Sequence, residues 1–419
     1  MISQSRARSV EDTVEAVARD SYSRLLSFLA ARCGDVALAE DSLGDAFLAA
    51  LRTWTSHGIP DRPEAWLLTA ARNRLNDHAR HVRVRQEHAV RLTNAVQEAA
   101  AVAETSDGFP DERLKLLFLC ADPAIDPDIH TPLMLQVVMR IDAARIARAF
   151  LVKPAAMGQR LVRAKTKIRD AGIPFQVPGP DELAPRLAAV TEAIYAAYSS
   201  GWEDVPGTDP GPGRLTDEAL WLARVLVELM PNEPEPRGLF ALMLHCEARR
   251  SARRSPDGRY VPIAEQDTTL WSRDLMGEAE RQLRAASGQK HLGRFQLEAA
   301  IQSVHAERAR TGRIEWQGIA LLYEGLVRTA PTLGAQVGRA AATAEVDGPD
   351  TGLTMLDELS SPPAETYQPY WAVRAHLLAR LGRSGEARDA YARAIALTDD
   401  DAMRAFLVEG KERVETDRA

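Results

Sequence analysis

At 419 residues, with 45% hydrophobic and 26% charged side chains, the chain is too long for one ordinary core and too apolar to be disordered, so two or three folded domains are expected. No apolar run nears the roughly 20 residues that span a bilayer, and no apolar leader precedes a small-residue cleavage site. Cys33, Cys120 and Cys246 lie too far apart for a disulfide framework or a paired-cysteine zinc site. A cytoplasmic protein with no membrane attachment, metal or cofactor is expected.

The net charge of −7 is unevenly held. Residues 1–174 carry 24 Lys/Arg against 22 Asp/Glu, and residues 175–419 carry 28 against 37. A nucleic-acid-binding front half and a back half with another task would explain the asymmetry.

Apolar residues recur at helical spacing almost throughout and alternating runs are scarce, which predicts an all-α fold. A first helical block spans 10–85. In AEDSLGDAFLAALRTW, Leu43, Phe47, Ala50 and Trp54 share one face. A loop from Thr55 to Pro63 then leads to EAWLLTAARNRLNDHARHVR. Over residues 70–85, AARNRLNDHARHVRVR, Arg72, Arg74, Arg80, Arg83 and Arg85 oppose a single acid, Asp77, with Asn73 and Asn76 between them. Cations, amides and the nearby Trp54 and Trp66 suit an opened strand with unstacked bases, although each tryptophan singly reads better as core. Residues 86–111, Ala-rich and poor in large apolar side chains, read as a linker with some helical tendency.

A second helical block, 112–174, is interrupted by ADPAIDPDIHTP, whose prolines are expected to break the helix. It ends in IDAARIARAFLVKPAAMGQRLVRAKTKIRDAG, with eight Lys/Arg against two Asp. Asp142 is placed to cap one helix, and Pro154 to open the next after a short turn. In that second helix Met157, Leu161, Ala164 and Ile168 form an apolar stripe, while Arg160, Arg163 and Lys167 form a separate basic face. This is the layout of a helix-turn-helix whose second helix lies in a major groove. Gln159 and Arg160, near its start, could reach base edges; Arg163, Lys165, Lys167 and Arg169 are better placed for phosphates.

The remainder, 181–415, repeats. Trp371, Ala375, Leu378, Ala387, Tyr391 and Ala394 stand at tetratricopeptide offsets, and Ile319/Tyr323, Gly352/Leu356 and Ala387/Tyr391 recur at spacings of 33 and 35. An insertion near 249–271 interrupts the repeats and is expected to be an ordered loop. Stacked helix pairs of this kind leave a concave groove.

Two basic helical blocks joined by a polar linker resemble bacterial sigma factors of the extracytoplasmic-function type. The resemblance rests on AEDSLGDAFLAALRTW with PEAWLLTAARNRLNDHAR, and on MGQRLVRAKTKI after the helical turn. The distal region, including GRYVPIAEQD, GRFQLEAAIQSVHA and YQPYWAVRAHLLARLGR, is similar to the tetratricopeptide-like extension of one subgroup. The resemblance implies no enzymatic activity, with core RNA polymerase and promoter DNA as partners. It places Glu40, Asp41 and Asp45 against the β′ clamp helices, with Gly44 where the family has glutamine. It also places Arg72, Asn73, Arg74, Asp77 and Arg80 beside the melted −10 strand, and the Thr55–Pro63 loop at a flipped base. The second domain would meet the β flap and read the −35 element through Gln159, Arg160, Arg163, Lys165 and Lys167. The family's Thr, basic and Ser positions there are Ala156, Gly158 and Gln159. The extension, 181–415, implies control in cis or a protein partner.

The sequence lacks the common phosphate-loop, zinc-protease and nucleophile-elbow motifs. His245 and Cys246, adjacent on a helix, point to different faces and read as structural. The alternative is a one-component helix-turn-helix regulator with a repeat sensor, which would leave the first helical block unexplained.

Overall fold

The computed structural model describes residues 2–83, 111–150, 152–170, 178–201, 212–289 and 291–416. Except for Asp111, the expected 86–111 linker lies outside them. The described residues are helical, with one isolated bridge, Arg254 to Tyr260, so the fold is all-α. Packing divides the chain into two compact units, 1–197 and 198–419.

The first unit opens with α1 (Ile2–Cys33), α2 (Val36–His57) and α3 (Pro63–Arg83). Gly34, at a φ of 70°, ends α1 in the left-handed conformation that glycine tolerates. Asp35 follows in extended backbone and accepts the Leu38 amide at 3.1 Å, capping α2. The stripe on α2 buries Leu43, Ala50 and Trp54 against α1 and α3, where Leu26, Leu29, Leu67 and Ala71 are fully buried. Phe47 is only half-buried and stacks on Tyr22 of α1 at 5.9 Å. The loop between α2 and α3 is shorter than Thr55–Pro63. Thr55 to His57 continue α2, with the Thr55 hydroxyl donating to the Leu51 carbonyl, and Pro63 already begins α3. Proline fits that first helical position because no intrahelical bond needs its missing N–H.

The next helices are α4 (Glu112–Cys120), α5 (Pro127–Val137), α6 (Ala143–Ala149), α7 (Pro154–Asp170) and α8 (Pro180–Ser200). From Leu114 to Cys120 every side chain of α4 is buried. The proline-rich break is confined to residues 121–126: Pro127 starts α5 and Pro132 sits inside it. The one helical bond lost at Pro132 is offset by burial of Ile129 to Leu135. The His130 ring, with Nε2 3.1 Å from the carbonyls of both Asp122 and Ile125, ties the preceding turn to the helix. Asp142 caps α6 by accepting the Ala144 and Arg145 amides at 2.9 Å each.

The second unit continues with α9 (Pro212–Leu229), α10 (Pro234–Ala248), α11 (Arg273–Ser287), α12 (Arg294–Ala306), the single-turn α13 (Arg308–Thr311) and α14 (Trp316–Thr329). It ends with α15 (Leu333–Asp347), α16 (Pro349–Glu358), the short α17 (Pro362–Glu365), α18 (Gln368–Arg380), α19 (Ser384–Ala396) and α20 (Asp401–Thr416). Neighbouring helices pack in succession, α14 on α15, α15 on α16, α18 on α19 and α19 on α20. Gly352 lets α16 approach α15 closely; a Cβ there would lie 2.6 Å from that of Ala344. The stretch between α10 and α11 is ordered. Arg254 pairs with Asp400 at 2.8 Å, the Tyr260 ring meets Phe406 edge-on at 5.4 Å, and Arg308 donates to the Ala264 and Gln266 carbonyls.

Candidate functional site

The residues singled out in the sequence fall on the helix faces of the first unit that are left over once the cores have formed. On α2 the buried stripe leaves Asp41 and Asp45 exposed, with Glu40 half-buried. Gly44 lies between them, and no atom stands within 4 Å of where its Cβ would be, so the face is open there. On α3, Asn73, Arg74 and Asp77 are exposed and Arg72 is half-buried; Arg80 lies on the helix, its side chain outside the described residues. Arg74 approaches Asp45 at 3.9 Å, with both side chains more than half exposed. A pair in such solvent contributes on the order of 0.5 kcal/mol, so it orders the two faces without closing either. Trp54 is 1% exposed and meets Trp66 edge-on at 5.5 Å. Trp54 therefore belongs to the core and offers no ring face on which a base could stack.

On α7, Met157, Leu161, Ala164 and Ile168 are all buried. Their burial turns Gln159, Arg163 and Lys167 to solvent and leaves Arg160 half-buried. Arg160, Arg163 and Lys167 line one groove of about 270 Å³, with Ile125, Asp126 and Ile129 on its other wall. Asp126 is the only acid in that wall, so the groove is net positive and suited to an anionic partner.

Lys165 behaves differently from its neighbours. Its ammonium lies 2.6 Å from the Glu40 carboxylate on α2, 125 residues earlier. The structure thus joins one residue expected to touch DNA to another expected to touch polymerase. Beneath them Cys120 is fully buried, and burial pushes its thiol up to about 12, with Glu40 adding to the rise and Lys165 opposing it. Arg140 was not singled out from the sequence. It adopts a left-handed φ of 58°, lays its guanidinium 4.4 Å over the Tyr22 ring and donates to the Ala18 carbonyl of α1. Burial raises the Tyr22 hydroxyl, and the nearby Glu40 raises it further. Periodicity could not have found Arg140, because it lies in the turn between α5 and α6.

In the second unit, His245 Nε2 faces Glu280 at 3.4 Å, whereas Cys246 meets Arg249 at 4.0 Å. The adjacent His and Cys therefore serve different neighbours. Among the described residues no group of three or more His, Cys, Asp or Glu could hold a metal ion, and no described helix is long and apolar enough to cross a membrane.

Residues 17–85, covering the C-terminal half of α1 with α2 and α3, match the family Sigma-70 region 2. Residues 186–287 match a family of unknown function, DUF6596. Over 376 residues the chain is 37% identical to an uncharacterized protein of Rhizobium meliloti, a match covering 88% of each chain. No solved structure matches.

Proposed function

We propose that this chain, whose residues 17–85 match Sigma-70 region 2, is an alternative sigma factor of the extracytoplasmic-function type, whose C-terminal helical repeats regulate it or bind a protein partner. The observation that carries this reading is the coincidence of the region 2 match with the α1–α3 bundle, which turns acids outward on α2 and Arg72 to Asp77 along α3. Such a protein breaks no bonds. It brings core polymerase to a promoter and holds the strands apart.

In this mechanism Glu40, Asp41 and Asp45 meet the β′ clamp helices. Asn73, Arg74 and Asp77, with Arg72 and Arg80, run beside the −10 strand. The α6–turn–α7 pair acts as a helix-turn-helix at the −35 element, with the second domain also meeting the β flap. Gln159 and Arg160 lie in the first two turns of α7, the part of a recognition helix that reaches bases. Arg163, Lys165 and Lys167, further along, bind phosphates. Net positive charge is concentrated on the stretches that face DNA, and the acidic excess lies in residues 175–419, with 28 Lys/Arg against 37 Asp/Glu. That division explains a DNA-binding protein with a net charge of −7.

The distal unit fits tetratricopeptide-like stacking. Ala375, Leu378, Ala387, Tyr391 and Ala394 are buried between successive helices, the positions such a repeat uses for packing.

The test is transcription in vitro with purified bacterial core polymerase and a promoter from beside the gene. Initiation should require the protein and should fall about tenfold or more with Arg160→Ala, the loss of one bidentate base contact. Tight duplex binding by the protein alone, with no binding to core, would instead identify a one-component regulator.

A further inference from the structure

The distal unit holds a cavity that its packing does not explain. The cavity, of about 430 Å³, lies between α11 and the end of α12 with α13, and its size is that of a small-molecule site. Arg273, Met276, Gly277 and Glu280 form one wall, at the i, i+3, i+4 and i+7 spacing of a single helix face. Ser303, Ala306, Glu307 and Arg310 repeat that spacing on the other. Gly277 is inside α11, where glycine costs about 1 kcal/mol relative to alanine. No neighbour demands it: an added Cβ would meet only Arg281 Nη1, at an ordinary 3.7 Å. What the missing side chain provides is room. Helical side chains lean towards the N-terminus, so the room lies where the Glu280 side chain passes.

Glu280 is held by one oxygen only. The Ser303 hydroxyl donates to its Oε1, and Nε2 of the buried His245 lies 3.4 Å from the same atom. Among the described residues Oε2 has no partner, although the side chain keeps only 36% of its surface. The His245 contact first, and then the Ser303 hydroxyl, hold the carboxyl below the usual glutamate range against the opposing effect of burial. An ionised carboxylate with a spare oxygen suits a cationic donor. Two turns earlier on the same face Arg273 is exposed and, among the described residues, pairs with no acid. Arg310, across the cavity, is taken by Glu307 at 2.7 Å. The cavity therefore offers one available anion and one available cation, about 10 Å apart along α11 before the arginine side chain bends in. The apolar Met276, Ala306 and Ala309 line it beside them.

We propose that this cavity binds a free amino acid with an apolar side chain, its ammonium on Glu280 Oε2, its carboxylate on Arg273 and its side chain against Met276, Ala306 and Ala309. The inference goes beyond the sigma-factor reading and does not rest on it, because every residue in the cavity belongs to the distal unit. The experiment uses the full chain, with Gly277→Leu, Glu280→Gln and Arg273→Ala beside the parent. Calorimetric titration and the thermal midpoint are recorded with alanine, valine, leucine, isoleucine, methionine and phenylalanine, each at millimolar concentration. The matching amines lack the carboxylate, and the N-acetyl derivatives lack the ammonium charge; both series serve as controls.

At least one of the six amino acids should bind the parent and raise its midpoint, and its N-acetyl derivative should do neither. Gly277→Leu fills the cavity and should abolish binding. Glu280→Gln should weaken it by about tenfold or more, and Arg273→Ala several-fold. Arg273 is exposed, so its replacement should leave the unliganded midpoint unmoved and decides the matter even if either of the other variants unfolds early. No binding of any of the six to the parent overturns the proposal. Binding that survives Gly277→Leu or Arg273→Ala undiminished places the ligand elsewhere and overturns the site. An amine that binds as tightly as its amino acid overturns the carboxylate contact and with it the class of ligand.

Discussion

Arg186 on α8 donates to the Phe118 carbonyl at 3.1 Å and to the Asp122 carboxylate at 3.1 Å, so the helix after the second block is bound to the end of α4. The guanidinium is buried, with 7% of its surface left. Because this contact lies well past residue 174, the first unit reaches residue 197 rather than stopping at the last basic helix. Arg186→Ala would leave a buried carbonyl and a part-buried carboxylate without their donor, a loss of about 2–4 kcal/mol. Urea denaturation of the full chain should show the earlier-melting transition shifted to lower urea. A truncation after residue 176 should be less stable than one after residue 201, and only the latter is a fair test of whether the distal unit regulates the first. An unmoved midpoint would mean that α8 is not part of the first unit's cooperative fold.

Local order was legible because it is set by neighbours in sequence. The buried stripe of Met157, Leu161, Ala164 and Ile168 follows from the helical period, and the cap at Asp142 from a short acceptor before an apolar run. The same reasoning overextended the breaks. Thr55 to His57 stay helical, and Pro132 sits inside α5 because burial outweighs one missing bond. What no local pattern could supply was which exposed charges find each other. Lys165 and Arg163 look alike in sequence, yet one is bound to Glu40 across 125 residues and the other is open to solvent. Arg140, in a turn, gives no periodic signal at all.

Two glycines should respond to alanine in opposite directions. A Cβ at Gly352 would lie 2.7 Å from the Ala340 carbonyl as well as 2.6 Å from the Ala344 methyl. These α15 atoms cannot rotate away, so Gly352→Ala should destabilise the distal unit by about 1–3 kcal/mol. At Gly44 nothing stands within 4 Å, and the position is mid-helix. Gly44→Ala should therefore stabilise the first unit by about 1 kcal/mol. Thermal unfolding of the two variants beside the parent checks both signs, and equal shifts would refute the packing argument.

Glu235, in the first turn of α10, caps α12 from outside. Its carboxylate accepts the Phe295 amide at 3.0 Å, the Gln296 amide at 3.2 Å and the Gln296 side chain at 3.2 Å. The helix N-terminus favours that negative charge, and Gly293, directly before α12, provides the room: a Cβ there would meet the Glu235 carboxyl at 2.1 Å. Glu235→Ala should cost about 1–3 kcal/mol. Hydrogen exchange should localise the effect to the first turn of α12, and a loss spread evenly over the unit would assign Glu235 a different role.

Stability of the distal unit should fall in mild acid. Burial, then the nearby Arg249 and Arg308, hold the His305 pKa down to about 4 from 6.5. His376 is shifted in the same direction by burial and Arg380. A histidine with a lowered folded pKa binds its proton more readily when unfolded. Its contribution is therefore complete above the unfolded pKa and is lost as pH falls from 6.5 towards 4. For His305 alone the loss between pH 7 and pH 5 is about 2 kcal/mol. Unfolding free energies of the parent and His305→Gln across that window should converge as the pH drops, and parallel curves would exclude His305 as the titrating group.

The basic groove on α7 makes a prediction about salt. If Arg163 and Lys167 bind phosphates, replacing either with glutamine should weaken promoter binding by the polymerase complex on every sequence alike. Each replacement should also lower the slope of log affinity against log salt by about one. Arg160→Ala should act differently. It should leave the slope nearly unchanged and relax preference at one −35 base pair, at a cost of about 1–3 kcal/mol. Filter binding at three salt concentrations, on the native promoter and on −35 point variants, separates the two behaviours. If all three substitutions lowered the slope equally, α7 would be a phosphate-binding helix without a base reader, and −35 sequence preference would have to come from elsewhere in the complex.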